Sequence, residues 1–173
     1  DLHSFPTRRS SDLTLCGPGS FSGVRINTAV AQALAWANDL PVVPVSTLQA
    51  LAQAAYRLAG LTAVTAVIDA RMNEVYIASF QLDEHGIMQA VDAEKLLSYE
   101  KAQAVQTFSL VGSGSALVDA QATEHQGIEP TAQDIATIAR QAALQKEWVS
   151  AELALPVYLR DDAWKKIPDQ GKA

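Results

Sequence analysis

One cysteine and three histidines among 173 residues leave little material for thiol or metal chemistry. Cys16 alone can form neither an internal disulfide nor a cysteine-rich zinc site, which suits a reducing compartment and makes the cytoplasm the expected location. His85 falls in a turn and His125 in a polar loop. Neither has a second histidine three or four residues away, so the helical pairs that bind zinc are absent and both read as surface residues. Long apolar runs are also lacking. A stretch such as Ala63 to Ala70 is far short of the roughly 20 residues a membrane helix needs, and no charged start precedes a signal-like apolar core. Positive charge is scarce: 13 Lys and Arg stand against 19 Asp and Glu, a net charge of −6 spread along the chain. Strong direct binding to nucleic acid has no electrostatic footprint here, so any contact with RNA would run through a partner.

What the sequence does have is apolar mass. Hydrophobic residues make up 49% of the chain, enough for one ordinary domain or two small lobes with a real core. The first thirteen residues, "DLHSFPTRRSSDL", show neither helical nor strand periodicity. Their "HSFPTRRSSDL" is close to a sequencing adapter translated in one frame, so residues 1–13 are expected to be a non-native prefix. From Thr14 the pattern turns α/β. "LTLC" closes a buried strand, a Gly-Pro-Gly turn follows, and Ser20 or Ser22 caps a helix from about Gly23 to Ala37. "LPVVPVS" is a strand, and "STLQALAQAAYRLAG" a second helix capped by Ser46 or Thr47 and ended by Gly60. An antiparallel meander is expected next: Ala63 to Asp69, Glu74 to Gln81, a turn at Asp83 to Gly86, and a third strand. A helical stretch around Ala93 to Val105, the strand "TFSLVG", a glycine-serine turn into a short helix, and a helix capped by Thr131 complete the pattern before a short extended tail.

The glycine turn draws the eye as a possible anion site, because free N–H groups and the positive end of a helix point the same way. Gly17, Gly19 and Gly23 miss the dinucleotide-binding spacing by one residue, and no Lys-Ser or Lys-Thr follows as in a P-loop. Neither Ser20 nor Ser22 sits at the centre of a nucleophile elbow. Gly17, Gly19 and Ser20 therefore stay weak candidates for a phosphate, and the stronger reading is a corner that lets the helix pack closely. Gly112 and Gly114 of "GSGS" are equally weak candidates for facing an adenosine. Asp69, Arg71 and Glu74 bracket a hairpin turn and read as turn and ion-pair residues more than as a catalytic carboxylate pair. Cys16 reads as a packed residue, with no histidine near in sequence to activate it. Tyr158, Trp164, Lys165 and Lys166 read as an exposed tail.

Four blocks in fixed order, "GPGSFSGVRI", "VSTLQALA", "AVIDARMNEVYIASF" and "PVYLRDDAWKK", resemble the bacterial TsaB (YeaZ) family of tRNA threonylcarbamoyladenosine biosynthesis proteins, once grouped with glycoproteases. The family's "GPGSFTGVRI" differs only at Ser22. The resemblance runs from Thr14 to the C-terminus and implies a two-lobed actin-like, sugar-kinase-like (ribonuclease H-like) ATPase fold. It divides the chain into the remainder of a first lobe at 14–60, a second lobe at 61–154, and a segment 155–173 returning to the first. The family's opening hairpin, its Asp-Thr-Ser turn and its first long helix have no counterpart here. The first lobe is thus expected to be incomplete and the chain prone to aggregate through uncovered sheet edge and helix surface.

The resemblance further implies a non-catalytic scaffold and activating subunit, with no catalytic or metal residues of its own. It would pair with the catalytic subunit TsaD, which transfers threonylcarbamoyl to an adenosine beside the tRNA anticodon, with the ATPase TsaE as a further partner, a homodimer as an option, and no membrane contact. No cofactor is expected, ATP or ADP having a place only at the junction of the complex. The partner face would be Gly23, Val24, Ile26, Asn27, Val30, Ala31, Ala33, Leu34 and Ala37, whose small residues let another helix come close. The alternative is a nucleotide-binding ATPase or phosphotransferase of the same fold. A metalloprotease follows only from the old family name.

Overall fold

The computed structural model describes residues 12–160. The prefix residues 1–11, with Trp164, Lys165 and Lys166, lie outside the described residues. Two sheets carry the fold. Strand β1 (Asp12–Gly17) pairs in parallel with β2 (Val42–Ser46), and helix α1 (Phe21–Asn38) crosses between them. The strand begins one residue before "LTLC", with Asp12 opposite Val42 and Leu13 opposite Val43, so the last two residues of the expected prefix pair in the sheet. A ladder needs only backbone groups, so side-chain periodicity does not mark its first residues.

The second sheet has five strands. β3 (Ala63–Arg71) and β4 (Glu74–Leu82) form the antiparallel hairpin at its centre. β5 (Met88–Ala90) and β6 (Lys95–Ser98) pair with successive parts of β4, and β7 (Ser109–Val111) lies parallel to β3. The alternation of strand side chains fills two cores. Val64, Ala66, Ala78 and Phe80 pack against Leu48, Leu51, Ala52 and Ala55 of helix α2 (Thr47–Ala59). Val67, Val75 and Ile77 face the other way, onto Ala102 of helix α3 (Tyr99–Val105) and Val118 of the single-turn helix α4 (Ser115–Val118). Lys95–Ser98 is strand where helix is expected, because pairing with Glu74–Ile77 captures it and leaves only Tyr99–Val105 helical.

Helix α5 (Ala132–Leu144) closes the layer over β2 and α2, through Ile138 and Ala139 against Val43, Val45 and Ala50. The N–H and hydroxyl of Thr131 both donate to Asp134 at its start. Asp134, 1% exposed, takes a two-pronged contact from Arg57 of α2 at 2.7 and 2.8 Å. A 3₁₀ turn, Ala151–Leu153, tops α1 before the chain extends.

Candidate functional site

Among the described residues two places bring candidate residues together, and α1 borders both. The helix starts two residues earlier than its sequence pattern shows. Ser20 is the cap: its hydroxyl accepts from the Gly23 N–H at 3.1 Å. Gly17 has φ +116°, and a Cβ there would lie 3.0 Å from the Val157 carbonyl oxygen. A Cβ on Gly19 would lie 3.2 Å from the Val24 side chain. The corner thus lets two backbones and a helix meet.

Along α1 only small residues turn inward, and only some of them. Thr28, Ala31 and Ala35 are buried, while Ile26, Val30 and Leu34 are 65%, 54% and 47% exposed. Those three recur every four residues, so they stack on one side of the helix. Gly23, Asn27, Ala33 and Ala37 share that side and are exposed. Two residues expected on the partner face depart from it. Ala31 is buried on the inward face and Val24 is half-buried against the glycine corner, because the helix must dock on its own sheet with its smallest side chains. The result is a continuous apolar stripe in water.

The second place is a cleft of about 680 Å³ beside the start of α1. Pro18 to Phe21 and Val24 line one side, Ile68 to Arg71 and Tyr76 the other, and Val157 to Arg160 span it. Gly19 and Ser20 therefore border a cleft, as a nucleotide reading would ask, but Ser20 already serves as the cap. Gly112 and Gly114 do not line it. Gly112 has φ +97°, and a Cβ would fall 2.4 Å from Leu51 and 2.7 Å from the Val67 carbonyl. Gly114 is pressed against Val67 and Val75, which makes the "GSGS" turn a packed corner under β3.

The remaining polar candidates are engaged. Asp69 pairs with Arg71 at 3.0 Å and accepts from its backbone N–H at 2.8 Å, within a hairpin whose two-residue loop, Met72 and Asn73, has positive φ at both positions. Glu74 pairs with Arg160 at 2.7 Å. His85 is exposed, whereas His125 is half-buried because its carbonyl accepts from Gly112 N–H and draws the loop against the sheet. Cys16 is buried, and burial together with the nearby Glu94 carboxylate pushes its thiol up to about 11, far from a thiolate at neutral pH. Glu94 itself is raised by burial, against the lowering effect of the Ser46 hydroxyl that donates to it. That Ser46–Glu94 contact joins residues 48 apart and has no local sequence signal. Among the described residues no three His, Cys, Asp or Glu side chains gather as a metal site would need, and no helix is long and apolar enough to cross a membrane.

A family model described as TsaD, tRNA N6-adenosine threonylcarbamoyltransferase, matches residues 14–165. The tRNA threonylcarbamoyladenosine biosynthesis protein TsaB of Escherichia coli (strain K12) is 41% identical, with 88% of this chain and 71% of that protein covered. The chain belongs to the TsaB family. The TsaB protein of Haemophilus influenzae is 38% identical over the same shares. Among solved structures, YeaZ from Pseudomonas aeruginosa superposes with a TM-score of 0.76 at 39% identity, covering 84% of this chain and 72% of that one. The mixed sheet with helices on both faces is accordingly the actin-like, ribonuclease H-like ATPase fold.

Proposed function

We propose that this TsaB-family chain acts in forming threonylcarbamoyladenosine on tRNA as a non-catalytic subunit, docking a TsaD-type catalytic subunit onto the exposed stripe of α1. In this reading residues 14–60 are the partner-binding unit and 61–154 the second unit. The carrying observation is the stripe itself: Ile26, Val30 and Leu34 exposed at four-residue spacing, with Gly23, Ala33 and Ala37 between them. Large side chains in water beside small ones make a surface into which a second helix can set its ridges. The engaged carboxylates and the buried, protonated Cys16 support a role without chemistry of its own. A TsaE-type ATPase would join the complex, ATP or ADP would bind only at its junction, tRNA would be reached through the partner, and a homodimer would use the same stripe.

Ala33→Glu places a charge in the stripe without touching the core. It is expected to weaken TsaD binding by more than about 30-fold, as loss of an interface hot spot does, with the circular dichroism and melting curve unchanged. Undiminished binding overturns the proposal. A second reading, a nucleotide-hydrolysing domain, is favoured by the cleft at the N-terminus of α1. It requires ATP turnover by the isolated chain.

A further inference from the structure

Residues 157–160 touch both walls of the cleft within four positions. At one end the Val157 N–H donates to the Cys16 carbonyl at 2.8 Å, and the Val157 carbonyl lies over Gly17. Next to it the Tyr158 hydroxyl accepts from Arg25 Nε at 2.8 Å. The Arg25 guanidinium is 3.4 Å over the Phe21 ring and 5.5 Å from the centre of the Tyr158 ring, so one cation in the first turns of α1 packs against two aromatics. At the other end Arg160 pairs with Glu74 at 2.7 Å and donates to the Ala70 carbonyl at 3.1 Å, with Met72 Sδ at 3.5 Å. Extended chain advances about 3.3 Å per residue, so Val157 to Arg160 covers about 10 Å, a span suited to a cleft of this size.

We infer that Val157–Arg160 is a clasp that couples the β3–β4 turn to the first turns of α1, with Arg160 and Tyr158 as its two positioning residues. Arg160 anchors the clasp on the hairpin, and Tyr158 passes that anchorage to Arg25 and so to the helix. Both partners of the Arg160 ion pair are about a quarter to a third exposed, and the added carbonyl bond fixes the guanidinium in one orientation. The consequence for partner docking rests on the stripe being the docking face. The coupling itself does not, and it is read on the isolated chain.

The test is amide exchange followed by NMR on the full chain. Val157 N–H, bonded to Cys16, reports the clasp, and Val24 N–H, bonded to the Ser20 carbonyl at 3.0 Å, reports the first turn of α1. Arg160→Gln is expected to speed exchange at both by about tenfold while core amides such as Val64 and Ala78 stay unchanged, the mark of a local opening. Tyr158→Phe is expected to speed Val24, and on that background Arg160→Gln should no longer affect Val24, a non-additivity that shows the path. Fast Val157 with unaltered Val24 overturns the coupling. So does a uniform rise across core amides in both Arg160→Gln and Glu74→Gln, because the pair would then stabilise the whole fold and not the clasp. Ala33→Glu, which disturbs docking alone, should leave all these rates unchanged, which separates failure of the clasp from failure of the docking face.

Discussion

Helices α1 and α2 are built from nearly the same material and are used in opposite ways. Each carries five alanines and each opens on a serine cap. Over 13 residues α2 buries seven, including Leu48 and Leu51, whereas α1 buries three of 18, all of them small. α2 turns Leu48 and Leu51 to the sheet, as a helix stabilised by its own domain must. α1 turns its large aliphatic stripe, Ile26, Val30 and Leu34, to water and settles on its sheet through Thr28, Ala31 and Ala35. Composition cannot distinguish the two. The phase of the large residues against the small ones can, and that phase is inverted in α1.

The sharpest break of that contrast is a pair of identical truncations. Leu51→Ala, at 2% exposure in the main core, should cost about 2–5 kcal/mol of folding stability through lost burial and the cavity left behind. Leu34→Ala, at 47% exposure, should stay within about 0.5 kcal/mol in denaturant unfolding yet weaken TsaD binding. Equal stability losses at the two sites would mean that α1 is a core helix after all.

The same contrast explains what was legible in the sequence. Serine caps mark the starts of both helices to within about two residues and Gly60 marks the end of α2, because Ser20, Ser46 and Gly60 act on their own neighbours. The meander is legible as two β-rich apolar runs, Ala63 to Asp69 and Glu74 to Gln81, set off by turn residues. Contacts between residues far apart were not. Arg160 with Glu74, Arg25 with Tyr158 and Ser46 with Glu94 depend on how the sheets are placed, and each residue alone reads as an ordinary surface group. β6 is not legible for a related reason, since its strand character comes from pairing with β4.

A second test concerns how each helix is tied down at its end. α2 is fastened to α5 by Arg57 and Asp134. Burial by itself would raise the Asp134 carboxyl, but hydrogen bonds from Arg57 and Thr131 prevail and hold it below the usual range. A depressed carboxyl stabilises the fold above its unfolded value of about 3.9, and that contribution is lost as the pH falls through the lower folded value. Asp134→Asn should therefore be less stable than the parent at neutral pH, and the gap should close on acidification below about pH 4. Denaturant melts at a series of pH values measure it, and a constant gap would show that Asp134 acts by shape and not by charge.

The smallest expected effect lies at the other helix end. Both helices finish on a left-handed residue: α2 on Gly60 at φ +67°, α1 on Asp39 at φ +52°. Glycine bears that conformation without penalty, while aspartate, one of the side chains that tolerate it best, gives up about 1 kcal/mol. Asp39 also brings a negative charge to the negative end of a helix dipole, unfavourable by about 0.3–1 kcal/mol at an exposed site. Against this, glycine loosens the unfolded chain by about 0.4–1 kcal/mol. The Asp39 N–H, which bonds to the Ala35 and Trp36 carbonyls, survives the change. Asp39→Gly should then raise stability by about 0.5–1 kcal/mol, seen as a higher denaturation midpoint at unchanged slope. Because the substitution leaves the stripe intact, TsaD binding should not change. A gain in stability that weakened binding would instead show that α1 is held in readiness by a loose end, and the contrast with α2 would extend from packing to flexibility.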